Sequence, residues 1–144
     1  MQIKVIFSDE SSIQNQPNNR RGRVFRKHEN FQRAVVNVTV QDLLMVWAGI
    51  WRDGRTDLVI MKRDQTTACK VYTAKSYQNA LSEGPLSIYD GTRRFQQDNA
   101  RIHNFGGTPE WLQIHGIEYI DWPPHSLDLN PIEHVWKALR AKLI

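Results

Sequence analysis

Apolar residues come first as short β-rich runs and later at helical spacing. Ile3 to Phe7 is one such run, and it predicts a strand that delivers Asp9 just past its end. Gln14 to Arg33 is polar, carries Asn18-Asn19 and Gly22, and reads as a long loop with room for a short strand at Val24-Phe25. Val35 to Val40 alternates in part. Leu43 to Trp51 is a buried strand by length and apolar content. Asp53-Gly54 signals a hairpin, and Leu58 to Met61 is the returning strand, so at least two strands are antiparallel neighbours.

Helical signals follow. Thr66 or Thr67 caps a helix running to about Leu81 and stopped by Gly84-Pro85. Phe95 to Asp98 is mostly polar and does not read as a strand. Thr108-Pro109-Glu110 opens a helix, a cap followed by proline, and Gly116 ends it. Ile117 to Ile120 is a short strand, and Trp122-Pro123-Pro124 forces an extended loop. Asn130-Pro131 opens the last helix, with Ile132, Val135, Trp136, Leu139 and Leu143 on one face. Strands first, then helices alternating with strands, predict an α/β fold. Its mixed sheet has antiparallel strands at one side and helices packed on its faces.

A chain of 144 residues fits one domain. Its longest apolar run, Leu43 to Trp51, is too short to span a bilayer, so no membrane partner is expected. No signal peptide is read at the start, and the only cysteine is Cys69, which excludes a disulfide framework and a zinc cluster. These readings place the protein inside the cell. The net charge of +4 says less than its distribution. Arg20, Arg21, Arg23, Arg26, Lys27 and Arg33 fall within fourteen residues, opposed only by Glu29. Such a cluster can neutralise several DNA phosphates, although a basic run by itself also suits a solvated loop.

Three acids stand inside distinctive words: Asp9 in Phe7-Ser8-Asp9-Glu10, Asp98 in Gln97-Asp98-Asn99-Ala100, and Glu133 in Asn130-Pro131-Ile132-Glu133. Taken singly, each has an ordinary role. Asp9 suits a strand end and Asp98 a loop. Glu133 falls three residues after a helix cap, approximating a capping box, and four before Lys137. Taken together, three carboxylates from distant parts of a chain are what a pair of Mg²⁺ ions needs for phosphodiester chemistry. The five histidines show no zinc-type spacing, and neither a Gly-rich phosphate loop nor a GxSxG elbow is present.

These words resemble the catalytic domain of mariner-type DDE transposases. Members of that superfamily carry F-S-D-E, Q-D-N-A-x-x-H and S-P-D-L-N-P-I-E-x-x-W in this order. Here the words are Phe7 to Glu10, Gln97 to His103 and Ser126 to Trp136, with 34 residues between Asp98 and Glu133 (133 − 98 − 1), as in the Asp-Asp-Glu branch. Val46-Trp47-Ala48-Gly49, Gly54-Arg55 and Trp122-Pro123 resemble its connecting segments, so the likeness covers nearly the whole chain.

The resemblance implies a ribonuclease-H-like mixed sheet: three antiparallel strands, then parallel ones, with helices on both faces. Asp9 would sit on the first strand, Asp98 just after the fourth, and Glu133 on the last helix. It implies that Asp9, Asp98 and Glu133 bind two Mg²⁺ (or Mn²⁺) ions, and that the chemistry is hydrolysis at an element end followed by strand transfer into target DNA. Arg20 to Arg33 would correspond to an insertion that reaches toward DNA and the partner subunit. The full-length protein would be a homodimer, nuclear in a eukaryote.

Leu127 and Arg101 stand where the family has proline, and Gly106-Gly107 lies where a helix commonly begins. The family's N-terminal helix-turn-helix region is expected to be missing, and the C-terminus to be truncated. Two other accounts stay open. One is a non-catalytic transposon remnant that binds DNA weakly. The other is a structure-specific nuclease of the same fold, against which the S-x-D-L-N-P-I-E word argues.

Overall fold

Nine residues with apolar side chains on both faces make strand β2, Leu43–Trp51, with the bounds its apolar content predicts. The computed structural model describes residues 4–14, 43–85 and 88–143. The expected loop from residue 15 on, the possible strand at Val24-Phe25 and the alternation at Val35 to Val40 lie outside the described residues. Along β2, Met45 and Trp47 face one side of the sheet, while Val46, Ala48 and Ile50 face the other. This is the period-two alternation of a strand covered on both faces.

Strand β1, Val5–Gln14, is twice as long as its apolar start predicts. Its polar half, Ser8 to Ser12, pairs antiparallel with β2 from Ser8↔Gly49 to Ser12↔Met45. Asp9 is therefore a mid-strand residue opposite Ala48, not one beyond a strand end. The hairpin after β2 returns as two short pieces, β3 (Gly54–Arg55) and β4 (Val59–Ile60), both antiparallel to β2. Thr56 breaks the return: its Oγ1 accepts the Gly49 N–H at 3.0 Å, replacing a ladder bond.

Helix α1, Ala74–Glu83, begins at Thr73, not at Thr66 or Thr67. Those threonines are held elsewhere, because Asp64 accepts the N–H and hydroxyl of Thr66 and, through its carbonyl, the hydroxyl of Thr67. The Thr73 N–H donates to Ser76 Oγ at 3.2 Å, closing a capping box. Gly84 ends the helix as expected. A Cβ there would come within 2.6 Å of the Trp47 ring, so the turn lies directly on the core.

Strand β5, Arg94–Gln96, is central: it runs parallel to β1 on one side and to β6 (Tyr119–Ile120) on the other. The sheet order is β3-β2-β1-β5-β6, with β4 also on β2. Helices α2 (Arg101–Asn104) and α3 (Thr108–Ile114) follow β5, and the positive φ angles of Gly106 and Gly107 make the turn between them. Thr108 is the first residue of α3 and not its cap; its hydroxyl donates to the Ile102 carbonyl.

The last helix, α4, spans Ile132–Lys142. A larger core joins α1 and α3 to one face of the sheet through Ile6, Trp47, Tyr77, Leu81, Phe95 and Leu112. A smaller one places Ile132 and Trp136 of α4 against Val46 on the opposite face. Helices on both faces of a mixed sheet match the expected ribonuclease-H-like arrangement. The apolar stripe of α4 is narrower than its sequence suggests, because Val135 and Leu143 are exposed. Among the described residues no helix is long and apolar enough to cross a membrane.

Candidate active site

Strand β5 pairs with β1 only at Val5 to Phe7. Beyond Gln96 the chain leaves the sheet, so the edge of β1 next to Asp9 is open, and Asp98 comes from the segment that has just departed. Asp9 faces α4, where the Trp136 Nε1–H donates to its Oδ2 at 3.1 Å. Glu10, its neighbour on the strand, faces the other side of the sheet and meets His103.

One buried side chain joins the three elements that carry the acids. Asn130 Nδ2 donates to the Ser8 carbonyl on β1 at 3.1 Å and to Gln96 Oε1 on β5 at 3.2 Å. Its Oδ1 accepts the Ile132 N–H at 3.2 Å, capping α4. The Asn130 N–H itself goes to the Leu127 carbonyl, so the reciprocal half of a capping box is not available to Glu133. Among the described residues Glu133 makes no ion pair with Lys137. Both ordinary readings of Glu133 thus fall away, and its half-buried carboxyl stands in the first turn of α4 without a protein partner of that kind. Replacing Asn130 with alanine removes three buried hydrogen bonds and should lower stability by roughly 2–4 kcal/mol in urea unfolding. A loss below about 1 kcal/mol would show that the junction is held by packing instead.

Asp98 is fixed from two sides. Its Oδ1 accepts the Ala100 N–H at 2.8 Å and lies 2.7 Å from His103 Nδ1, which is also 3.0 Å from the Asp98 carbonyl. His103 Nε2 lies 3.1 and 3.2 Å from the two Glu10 oxygens. Burial works against a charged His103 ring, but the hydrogen bonds to Asp98 and Glu10 outweigh it and raise its pKa to about 10. The His103 bond holds the Asp98 carboxyl below its ordinary range.

Asp9 is pushed the other way. Burial first, then the charges of Glu10, Glu133 and Asp98, raise its pKa to about 8. Glu133 and Asp98 therefore both lie near enough to Asp9 to act on its charge. The three acids do not form a closed cage, however: among the described residues no three His, Cys, Asp or Glu side chains group as ligands of a single metal ion. Two of the oxygens are turned into protein hydrogen bonds, Asp9 Oδ2 to Trp136 and Asp98 Oδ1 to His103 and Ala100. A two-ion site asks less of each metal, because neighbouring ions share carboxylates and keep water or substrate ligands.

A cleft of about 400 Å³ opens beside Asp98, lined by Asn99, Ala100, Trp122, Pro123, His125 and Leu127. Asn99 Nδ2 anchors its wall by donating to the Trp122 carbonyl at 2.7 Å. A larger cavity of about 640 Å³ between α3 and β6, lined by Pro109, Gln113 and Tyr119, contains none of the three acids. The expected DNA contacts Arg20, Arg21, Arg23, Arg26, Lys27 and Arg33 lie outside the described residues. Sequence reasoning gave no supporting role to Gln96, and it named Glu10 and His103 only as the last residues of two of the distinctive words. The available signal for His103 was its place five residues after Asp98 in the same word.

The model of the family described as "DDE superfamily endonuclease" matches residues 4–144. The chain is 34% identical over 101 residues to the transposable element Tc3 transposase of Caenorhabditis elegans, covering 67% of this chain and 28% of that protein. It is 43% identical over 100 residues to the Tcb1 transposase of Caenorhabditis briggsae, covering 69% of this chain and 36% of that protein. The chain thus spans roughly a third of the relatives' length. A solved structure of the Mos1 transposase catalytic domain with raltegravir and Mg superposes with a TM-score of 0.60 at 17% identity, covering 96% of this chain and 60% of that one. That likeness establishes the shared ribonuclease-H-like fold. With the family match over nearly its whole length and these relatives beside it, the chain belongs to the DDE endonuclease superfamily, in its mariner-type transposase branch.

Proposed function

We propose that this chain is a transposase catalytic domain that hydrolyses a DNA phosphodiester at an element end and transfers the resulting strand to target DNA. The observation that supports this reading is that Asn130 ties together β1, which carries Asp9, the end of β5, two residues before Asp98, and the first turn of α4, which carries Glu133. The donor set fits hard divalent cations, since all three side chains offer only carboxylate oxygens. Two Mg²⁺ or Mn²⁺ ions held by these residues would activate the attacking oxygen and stabilise the leaving one.

The protein's own part is orientation. Trp136 aims Asp9, the Ala100 N–H and His103 aim Asp98, and Asn130 fixes the helix turn that presents Glu133. The cleft lined by Trp122, Pro123 and His125 opens beside Asp98, where a DNA strand would approach it. Arg20, Arg21, Arg23, Arg26, Lys27 and Arg33 would hold the backbone through phosphates and carry little sequence information. In the full-length protein the active form would be a homodimer acting on DNA, in the nucleus if the source is eukaryotic.

Nicking of supercoiled DNA in Mn²⁺ or Mg²⁺ tests the reading. The wild type should nick only with the divalent ion, and Asp9→Asn, Asp98→Asn and Glu133→Gln should each fall to background. In the same preparations, neutralising Arg20, Arg21 and Arg23 together should reduce the slope of log K against log salt by roughly 2.7. A folded wild type that binds DNA but never nicks it would favour the non-catalytic remnant.

A further inference from the structure

We propose that His103 is a positioning residue of the acidic site: a buried strut that ties Asp98 to Glu10 and leaves Asp98 a single oxygen, Oδ2, to present to a divalent cation. The inference rests on the reading of Asp98 as a metal-binding residue.

The geometry is specific. The His103 side chain is 1% exposed and reaches from α2 toward β1. Each ring nitrogen faces a carboxylate, Nδ1 toward Asp98 Oδ1 at 2.7 Å and Nε2 toward Glu10 Oε2 at 3.1 Å. Each ring nitrogen can donate to the carboxylate it faces, and the Nδ1 contact with Oδ1 is the one that fixes Asp98. Oδ1 of Asp98 also accepts the Ala100 N–H at 2.8 Å and is thereby saturated. Rotation of the ring is blocked: the Tyr77 ring lies against it with centroids 4.2 Å apart, and the Tyr77 hydroxyl is itself tied to Gln97 Oε1 at 2.8 Å. A buried histidine that merely satisfied a core would need one acceptor and one donor partner, and any carbonyl and N–H would serve. This one, 93 residues from Glu10 in sequence, joins that neighbour of Asp9 on β1 to the acid after β5. Its chemical effect is to spare an incoming cation the work of ordering Asp98. Partners of this kind behind a ligand typically change metal affinity by about 10–100-fold when removed.

Titration calorimetry of Mn²⁺ into the full chain, without DNA, tests the strut. In His103→Asn the shorter amide can still donate toward Asp98 from the Nδ1 position. In His103→Gln the donor reaches only toward Glu10. Asn should keep the Mn²⁺ Kd within about threefold of wild type, while Gln should weaken it by about 10–100-fold. Their metal-free melting temperatures should not follow that order. Equal Kd values for the two variants would overturn the proposal, as would weakening that simply tracks lost stability. Asp98→Asn is the control: if it binds Mn²⁺ like the wild type, the metal reading beneath the strut fails, and the strut's role with it. A readout without any variant protects against misfolding. In proton NMR the buried Nδ1–H resonance of His103 should move on saturation with Mg²⁺ more than the Nε2–H resonance. Two unmoved resonances at saturating Mg²⁺ would sink the idea.

Discussion

Between pH 5 and pH 6.5 the metal-free chain should lose about 2 kcal/mol of folding stability, and a saturating divalent ion should restore it. The source is Asp9, whose pKa is raised to about 8, by burial first and by neighbouring carboxylates second. In the unfolded chain it titrates near 3.8. Between those values the folded state holds a proton that the unfolded state has released. Folding is therefore most favoured by this group at low pH, and the advantage falls as pH rises through the window at about 1.4 kcal/mol per pH unit.

His103 acts in the same direction over a higher window. Its pKa is raised to about 10, so the stability it contributes is complete below the ordinary histidine value of 6.5 and is lost as pH rises toward 10. The interval from pH 5 to 6.5 therefore isolates Asp9. Asp9→Asn should flatten the profile there while leaving the decline above pH 7 in place. A cation among the acids reverses the preference, because it binds the ionised form, and it stabilises the fold by mass action. The Mg²⁺-dependent rise in melting temperature should be greater at pH 8 than at pH 5.5, and smaller in Asp98→Asn than in the wild type at either. Urea unfolding at fixed ionic strength measures the first effect and thermal melts the second. A metal-free profile that is flat from pH 5 to 6.5 in the wild type would remove Asp9 from the shared electrostatic field.

The same polar residues that build this field hid part of the fold from the sequence. Strand β2 was legible because all nine residues can be buried. The far half of β1 was not, because Ser8, Asp9, Glu10 and Ser11 look like a loop. In the structure each has a polar partner: Ser8 Oγ donates to the Gln96 carbonyl, Asp9 meets Trp136, Glu10 meets His103, and Ser11 Oγ accepts from Arg140. Strand β5 was missed for the same reason, since Gln96 is fully buried yet spends its side-chain oxygen on Ser8 and Asn130. Patterning rules assume that buried means apolar, and a site built on the sheet itself breaks that assumption. The acids were found by their words and not by periodicity. Their supporting shell was not found, because contacts such as Glu10 to His103 join residues far apart in sequence. Helix α4 erred the other way: Val135 and Leu143 fit an apolar stripe but are exposed, since of its apolar side chains Ile132, Trp136 and Leu139 pack on the sheet.

Trp136 carries the second large effect, because it serves the core and the site at once. Its ring is 2% exposed and fills the smaller core with Ile132 and Val46, while its Nε1–H donates to Asp9 Oδ2 at 3.1 Å. Trp136→Ala should lower stability by about 3–5 kcal/mol at any pH, by emptying that core. Against a typical total of roughly 5–15 kcal/mol, this leaves the chain at the edge of unfolding. Trp136→Phe separates the two roles: the ring still fills most of the space, but the donor is gone. At pH 6 Asp9 is protonated in the folded chain, and the lost bond is an ordinary neutral one, worth about 0.5–1.5 kcal/mol. At pH 9 it is ionised, and the lost bond is charge-assisted, worth about 1.5–3 kcal/mol. The phenylalanine variant should therefore fall further below the wild type at pH 9 than at pH 6, by on the order of 1 kcal/mol in paired urea titrations. If the gap is the same at both values, Trp136 supports Asp9 only through packing, and the indole N–H has no special part in orienting the acid.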